Sequence, residues 1–349
     1  MAVTIKDLAS YLNLSPATVS RALRDSPRVS EETKRRVLNA AHELGYTPNM
    51  LARGLAQATA EIIGCMVLDL ANPFFVTVVQ AIEEAIDKKG YIAVVSETKR
   101  EQEVEKRLVE RLKTIRPAGL IITPVLKEID HLLAFAQKTP LVLVGREHHS
   151  LSYVTVDNVY GGRVIGEHLI SLGHTRIGVV MSGEPYNFPE KDRVEGLKWT
   201  LKEAGLKLPE QWQLVGGRND LESGLKAAGM WLNLNERPSA IFAVTDLLAM
   251  GFIHGVRQAG VKVPDDVAVV GFDDIYFAPF FEVPLTTMAL PKYEMGRIAV
   301  ELLFDKIESG IKPANRIDHI ILRPELVIRE SCGGKPDKVS SGSGRTKSF

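Results

Sequence analysis

The sequence is poor in cysteine: Cys65 and Cys332 are the only two in 349 residues. Two thiols so far apart give neither a disulfide framework nor zinc-ligand spacing, and they fit a reducing compartment. Long apolar runs are also missing, and no stretch reaches the roughly 18 residues that a membrane-spanning helix requires. The opening MAVTIKDLAS places a lysine and an aspartate early and holds no apolar segment, which points away from a secretory signal. Catalytic signatures are absent as well, with no GxSxG elbow, no P-loop and no HExxH helix, so no enzyme activity is expected. His148 and His149 are adjacent and lack the i, i+4 spacing of a helical metal pair, so no metal is expected. The glycines of VYGGRVIGEH (159–168) lack the strand–turn setting of a dinucleotide fingerprint, and no cofactor is expected.

Net charge is missing too, with 43 basic against 43 acidic side chains, but the balance is uneven along the chain. Residues 1–58 hold eight Lys and Arg against five acids, and residues 331–349 hold four against Asp337 alone, so the stretch between them is acidic. A small basic head on an acidic body suits a polyanion-binding module joined to a body with another task. An excess this modest also arises by chance. Apolar residues at 45% and charged residues at 25% are ordinary for a soluble protein, and the length suits two or three domains.

The head reads as three short helices. Ile5, Leu8 and Leu12 share one face of the first, and Asn13 can adopt the left-handed conformation that ends it. Ser15 is a good N-cap and Pro16 a good first helical residue, so SPATVSRAL starts a second helix almost at once. Its apolar side is Val19, Ala22 and Leu23, which leaves Thr18, Ser20 and Arg21 mostly outside. Ser30 caps a third helix that Gly45 ends, with Val37, Leu38, Ala41 and Leu44 expected on its inner face. Residues 48–56 after Thr47-Pro48 could form about 13 Å of helix, too short to be stable alone in water.

From residue 61 apolar strands alternate with amphipathic helices, the pattern of parallel, right-handedly wound sheets. The series is too long for one sheet and is read as two α/β subdomains. The tail GGKPDKVSSGSGRTKSF is expected to be disordered, and it lacks a leucine heptad that could form a coiled coil. In such sheets ligands sit beyond the carboxyl ends of the strands. Those ends carry Asp69, Asn72, Phe74 and Phe75, then Arg146, then Tyr186–Phe188 with Arg193 close behind, then Thr245 and Asp246, then Asp273 and Asp274. Aromatic faces beside guanidinium and carboxylate groups suit a polyhydroxyl ligand. A purely structural role is also open, with Asp273 and Asp274 capping a helix and Phe74 and Phe75 in the core.

Taken together, VTIKDLASYLNLSPATVSRAL, RVSEETKRRVLNAAHELGYTPNMLARGL, ANPFF, VDNVYGG, LISLGHTRIGVV, AVTDLLAMG and VAVVGFDDIYFAPFFEVPLTT resemble the LacI/GalR family of bacterial transcriptional regulators over about residues 3–330. The resemblance implies an all-α helix-turn-helix domain at 1–46 and a hinge helix at 47–59. It implies an α/β body at 60–330 with a periplasmic-binding-protein-like fold of two parallel-sheet subdomains. The N-subdomain would take about 60–158 and 290–320, the C-subdomain about 159–289 and 321–330, and 331–349 would be the disordered tail. Pro16, Ala17 and Arg21 match base-reading positions in the major groove. Thr4, Ser15, Thr18, Ser20, Arg28, Ser30 and Thr33 match phosphate contacts. Asn49, Ala52, Arg53 and Leu55 fall on the hinge element, with Leu55 matching an apolar wedge in the minor groove.

The resemblance also implies an effector pocket of Phe74, Phe75, Arg146, Phe188, Arg193, Thr245 and Asp273. Thr245 departs from the asparagine of some sugar-binding members, and Asn219 departs from the aromatic residue of a purine-binding one. The expected protein is a cytoplasmic, DNA-associated homodimer that binds a pseudo-palindromic operator, with a sugar or sugar-derivative effector and no membrane partner. The rival readings are a soluble sugar-binding protein without a DNA role and a regulator responding to a purine, a sugar acid or a sugar phosphate.

Overall fold

The computed structural model describes residues 3–23, 25–46, 60–126, 128–183, 188–309 and 317–334. The chain divides into a head, residues 1–61, and a body, residues 62–349. The hinge positions 47–59 and the tail from 335 lie outside the described residues.

Three helices make the head: α1 (Ile5–Leu12), α2 (Pro16–Ala22) and α3 (Glu31–Glu43). Each starts on a hydroxyl cap. The Thr4 side chain accepts from the Asp7 N–H while the Asp7 carboxylate accepts from the Thr4 N–H, a reciprocal capping box. Ser15 and Ser30 accept from the N–H groups of Thr18 and Thr33. Asn13 ends α1 at φ 51°, in the left-handed region, so the chain turns at once into α2. The core is Leu8, Ala9, Val19, Ala22, Val37, Ala40 and Ala41. Fully burying a residue such as Leu8 contributes about 1.5–3 kcal/mol. The expected inner face of α3 needs one correction: Leu38 is 54% exposed. Val37, Ala40, Ala41 and Leu44 follow the helical repeat, and Leu38 stands one step around it. Lys34 is drawn inward, its ammonium 2.6 Å from both Asp25 and Glu31.

The body alternates strands and helices: β1 (Ala60–Val67), α4 (Pro73–Asp87), β2 (Ile92–Glu97), α5 (Gln102–Thr114), β3 (Pro117–Ile122), α6 (Asp130–Ala136), β4 (Leu141–Val144) and β5 (Ser152–Val156) come first. Then follow α7 (Asn158–Ser171), β6 (Ile177–Ser182), α8 (Phe188–Glu203), β7 (Gln213–Gly217), α9 (Leu221–Leu232), β8 (Ala240–Ala243), α10 (Asp246–Gln258), β9 (Ala268–Asp273) and β10 (Thr286–Ala289). The chain closes with α11 (Lys292–Glu308), β11 (His319–Leu322) and β12 (Glu325–Val327).

Two six-stranded sheets result, ordered β11-β5-β4-β3-β1-β2 and β12-β10-β9-β8-β6-β7. β5 pairs with β11, and β9 with β10, in parallel; β12 runs antiparallel to β10. The chain therefore passes between the sheets three times: after β5, after β10, and between β11 and β12. Buried strands such as LVLV (141–144) and AIFA (240–243) are apolar throughout because helices cover both faces. α11 returns to the first half, where a Cβ on Gly296 would come within 2.7 Å of the Val78 carbonyl of α4. The helix after β5 begins at Asn158, where the Asp157 carboxylate caps it by accepting from the Tyr160 N–H.

Candidate functional site

Every strand from β1 to β10 delivers a residue from its carboxyl end to one cavity. Phe74 and Phe75 follow β1, Arg100 follows β2, Thr123 β3, Arg146 β4, Asn158 β5, Glu190 and Arg193 β6, Asn219 β7, Thr245 β8 and Leu290 β10, while Asp273 ends β9. They line one small, partly open cavity of about 80 Å³.

Arg193 and Asp273 are the charged centre. The Arg193 guanidinium lies 3.4 Å from Asp273 Oδ1. It also donates to Asn158 Oδ1 at 2.9 Å and to the Val244 carbonyl at 2.6 Å, and it stacks 3.8 Å over the Phe272 ring. Burial pulls its pKa down, and the carboxylates of Asp273, Glu190 and Asp246 oppose that shift. Burial also pushes the Asp273 carboxyl above the usual range, against the pull of Arg193 and Lys292. Asp273 and Asp274 both have left-handed backbone, at φ 122° and 48°, a strained corner of the kind found at ligand sites. Two cations clamp it from outside. Lys292, the first residue of α11, donates to the carbonyls of Asp273 and Asp274, and Arg329 donates to Asp274 Oδ1 at 2.7 Å. Neither aspartate caps a helix.

Asp246 is buried behind this corner and lies outside the cavity lining. It accepts from the Thr287 hydroxyl at 2.5 Å and the Ile275 N–H at 2.8 Å. Burial first, then the charge of Asp273, raises its pKa. Gly271 makes the packing possible, since a Cβ there would strike the Asp246 carboxylate.

The remaining polar groups are set by local bonds. The Thr245 hydroxyl donates to Asn219 Oδ1 at 2.6 Å, and Asn219 lines the cavity. Glu190 Oε2 accepts from the N–H and hydroxyl of Ser182. Arg146 donates to the Pro124 and Val125 carbonyls at 3.2 and 3.4 Å, and burial lowers its pKa to about 10. The fully buried Glu105 holds that loop by accepting from the Val125 N–H at 2.7 Å, and it meets His131 Nε2 at 2.8 Å. Phe74 and Phe75 pack edge to face with centroids 5.0 Å apart, Phe75 buried and Phe74 half-buried.

Of the seven pocket residues expected from sequence, Phe74, Phe75, Arg146, Arg193, Thr245 and Asp273 line this cavity together. The backbone of Phe188 starts α8, and its side chain lies outside the described residues. Sequence reasoning missed Arg100, Thr123, Thr155, Asn158 and Glu190 as lining residues. Thr123 sits directly after AGLII, so the strand-end rule that selected Arg146 could have found it. Asn158 and Glu190 are first-turn helix residues, and nothing in their local pattern marks them.

On the head, Ser15, Pro16, Ala17 and Arg21 are exposed along α2, and Thr18 and Ser20 are half-buried. Thr4, Arg28 and Ser30 are exposed and Thr33 is half-buried. Several of the hydroxyls already work as caps: that of Thr4 also donates to Asp7 at 2.7 Å, and Ser15 bonds Thr18 at 2.8 Å. Asn49, Ala52, Arg53 and Leu55 lie outside the described residues. Among those described, no cluster of His, Cys, Asp and Glu could hold a metal, and no helix is long and apolar enough to cross a membrane.

An exposed capped-helix head joined to a two-sheet body with a polar, aromatic cavity defines a DNA-binding, ligand-responsive regulator, and comparison with known proteins agrees. The profile of bacterial regulatory proteins of the lacI family matches residues 4–49, and that of the periplasmic binding protein-like domain matches residues 167–332. The HTH-type transcriptional repressor PurR of Photobacterium profundum is 33% identical over 333 residues, covering 94% of this chain and 98% of that protein. The structure of the lac repressor dimer bound to operator and the anti-inducer ONPF aligns with a TM-score of 0.84 at 26% identity, over 95% of this chain and 99% of that one. The cellobiose complex of the transcriptional regulator CelR aligns with a TM-score of 0.71 at 28% identity, over 94% and 99%. This chain belongs to the lacI family of bacterial regulatory proteins. It is a transcriptional regulator and not an enzyme.

Proposed function

We propose that this regulator is a cytoplasmic repressor that binds a pseudo-palindromic operator on the nucleoid as a homodimer and takes a neutral polyhydroxyl effector, a sugar or sugar derivative, in the body cavity. The head at 1–46 reads DNA, 47–59 is the hinge, and the two subdomains of 60–330 close on the effector. The observation that carries the effector reading is the compensated charge at the centre. Arg193 is spent on Asp273, Asn158 and the Val244 carbonyl, so it is not an open anion site. Asp273 Oδ2 and the Asn219 amide remain for ligand hydroxyls, with Phe74 beside them. Charge-assisted bonds plus an aromatic face fit a neutral polyol better than a phosphate or an acid.

In the head, Pro16 and Ala17 offer no side-chain hydrogen bond and contact thymine methyls at most, so Arg21 is the direct reader, suited by its fork to a guanine edge. Leu55 is the apolar wedge, and DNA deformability supplies the remaining specificity. Effector binding shifts the pose of the subdomains and with it hinge pairing, a coupling of about 1–3 kcal/mol. The test is thermal shift of the full chain against a carbohydrate panel, followed by operator gel shift with each hit. A carbohydrate that raises the melting temperature and changes operator affinity is the expected result. Stabilisation by purines alone, or by sugar phosphates alone, would sink the neutral-sugar reading.

A further inference from the structure

Arg146 is the second buried cation of the cavity lining, beside Arg193. A guanidinium taken out of water needs an opposite charge as well as hydrogen bonds. The carbonyls of Pro124 and Val125 accept from it at 3.2 and 3.4 Å, but they carry no net charge. Glu105 of α5, fully buried, supplies one. Its Oε2 accepts from the Val125 N–H at 2.7 Å, while the carbonyl of the same residue accepts from Arg146, so carboxylate and guanidinium hold opposite ends of Val125. Its Oε1 meets His131 Nε2 at 2.8 Å. The Glu105 charge favours the Arg146 cation and opposes the burial that lowers the Arg146 pKa to about 10. Asp192 pulls in the same sense, but it is exposed and screened by water, whereas Glu105 acts through the low-dielectric interior.

Neither hydrogen bond of Glu105 requires that charge. A neutral glutamine oxygen accepts from the Val125 N–H in the same place, and its amide reaches His131. A buried carboxylate is costly to keep, so the charge itself has a use, and Arg146 is the cavity group that gains by it. A phosphate or carboxylate arriving at Arg146 would give up its water to meet a cation already balanced from behind, and the buried negative charge would repel it. A ligand hydroxyl meets no such repulsion.

Resting on the reading that the cavity takes a neutral polyol, we propose that Glu105 is the residue that excludes anionic effectors, a positioning and charge-balancing group that acts through Arg146 from behind the cavity wall, so that sugar phosphates and sugar acids find the guanidinium already neutralised.

The test is isothermal titration calorimetry of the full chain and of its Glu105→Gln variant with inorganic phosphate and with neutral and anionic pairs: glucose and glucose 6-phosphate, ribose and ribose 5-phosphate, galactose and galacturonate. Glu105→Gln is expected to bind inorganic phosphate or at least one anionic member about tenfold or more tighter than the wild-type chain does. Glu105→Gln combined with Arg146→Gln is expected to lose that gain. A merely structural role would weaken binding and create no affinity for anions. A folded Glu105→Gln chain that gains no anion affinity overturns the role of Glu105 and leaves the neutral reading intact. A gain that survives in the double variant overturns Arg146 as its route. Wild-type binding of an anionic member more tightly than its neutral partner overturns the neutral-effector reading itself. Should Glu105→Gln fail to fold, His131→Lys, at a half-buried position, sets a fixed cation against Glu105 from the far side. The same gain is then expected, and its absence overturns the proposal.

Discussion

At the scale of single residues, Asp273 concentrates the chemistry of the body. It pairs with Arg193, sits on strained backbone, and its own carbonyl is held by Lys292. Hydrogen bonds to a charged group are worth about 1.5–3 kcal/mol, so Asp273→Asn is expected to weaken effector binding by roughly tenfold to a hundredfold in calorimetry. The same carboxyl sets a pH dependence. Burial raises the pKa of Asp273 and Asp246 above the ordinary 3.8. Between that value and the raised ones the folded body holds protons that the unfolded chain releases. The stabilisation is thus full below the ordinary value and is lost as pH rises through the folded values. Asp246→Asn is expected to flatten the fall in melting temperature between about pH 4 and 7. Under the proposed effector reading, affinity is expected to run the opposite way, because ligand hydroxyls would donate to ionised Asp273. It is expected to be weaker at about pH 5 than at pH 7.5, and Asp273→Asn should remove the difference. Asp273 and Arg146 were legible as strand-end residues. Glu105 was not, because its role depends on a loop 20 residues away that it reaches only in the fold.

At the scale of elements, the head helices follow their local signals closely. Ser15, Pro16 and Asn13 cap, start and stop helices where their conformational preferences require. Ser30→Ala, at the cap of α3, is expected to lower head stability by about 1 kcal/mol in thermal or chemical unfolding. On α2, Arg21→Ala is expected to abolish discrimination between operator and unrelated DNA in gel shift, while Ala17→Gln changes the preferred base, since glutamine can pair with an adenine edge. Retained discrimination in Arg21→Ala would remove Arg21 as the direct reader. α11 and β12 behave differently. The alternation breaks where β10 follows β9 and β12 follows β11 with no α-helix between them, and no side-chain cap marks the start of α11 at Pro291. Lys292, at its first turn, earns its place only through the Asp273–Asp274 corner.

At the scale of the whole molecule, a basic head and an acidic body divide the labour. Operator affinity rests on phosphate contacts that release counterions, so it is expected to fall steeply and linearly in log–log form as salt rises. Salt-independent binding in gel shift or fluorescence titration would contradict this. Effector affinity, built on a compensated and buried centre, is expected to change little over the same range, since buried pairs are screened far less than exposed charges.

The sequence by itself determined the head and the wound α/β plan, because both depend on short-range signals: caps within three residues, turns at single left-handed positions, and apolar runs of strand length. It also determined six of the cavity residues, because the carboxyl ends of parallel strands can be counted along the chain. Only the tertiary structure decided what these residues do together. The Arg193–Asp273 pair joins side chains from β9 and α8, Arg329 reaches back 55 positions to Asp274, and Tyr153 stacks on His319 from the far end of the body. Such contacts join residues far apart in the chain, and no local periodicity records which distant side chain will lie opposite. Whether a buried charge is compensated or open to a ligand is settled by those partners.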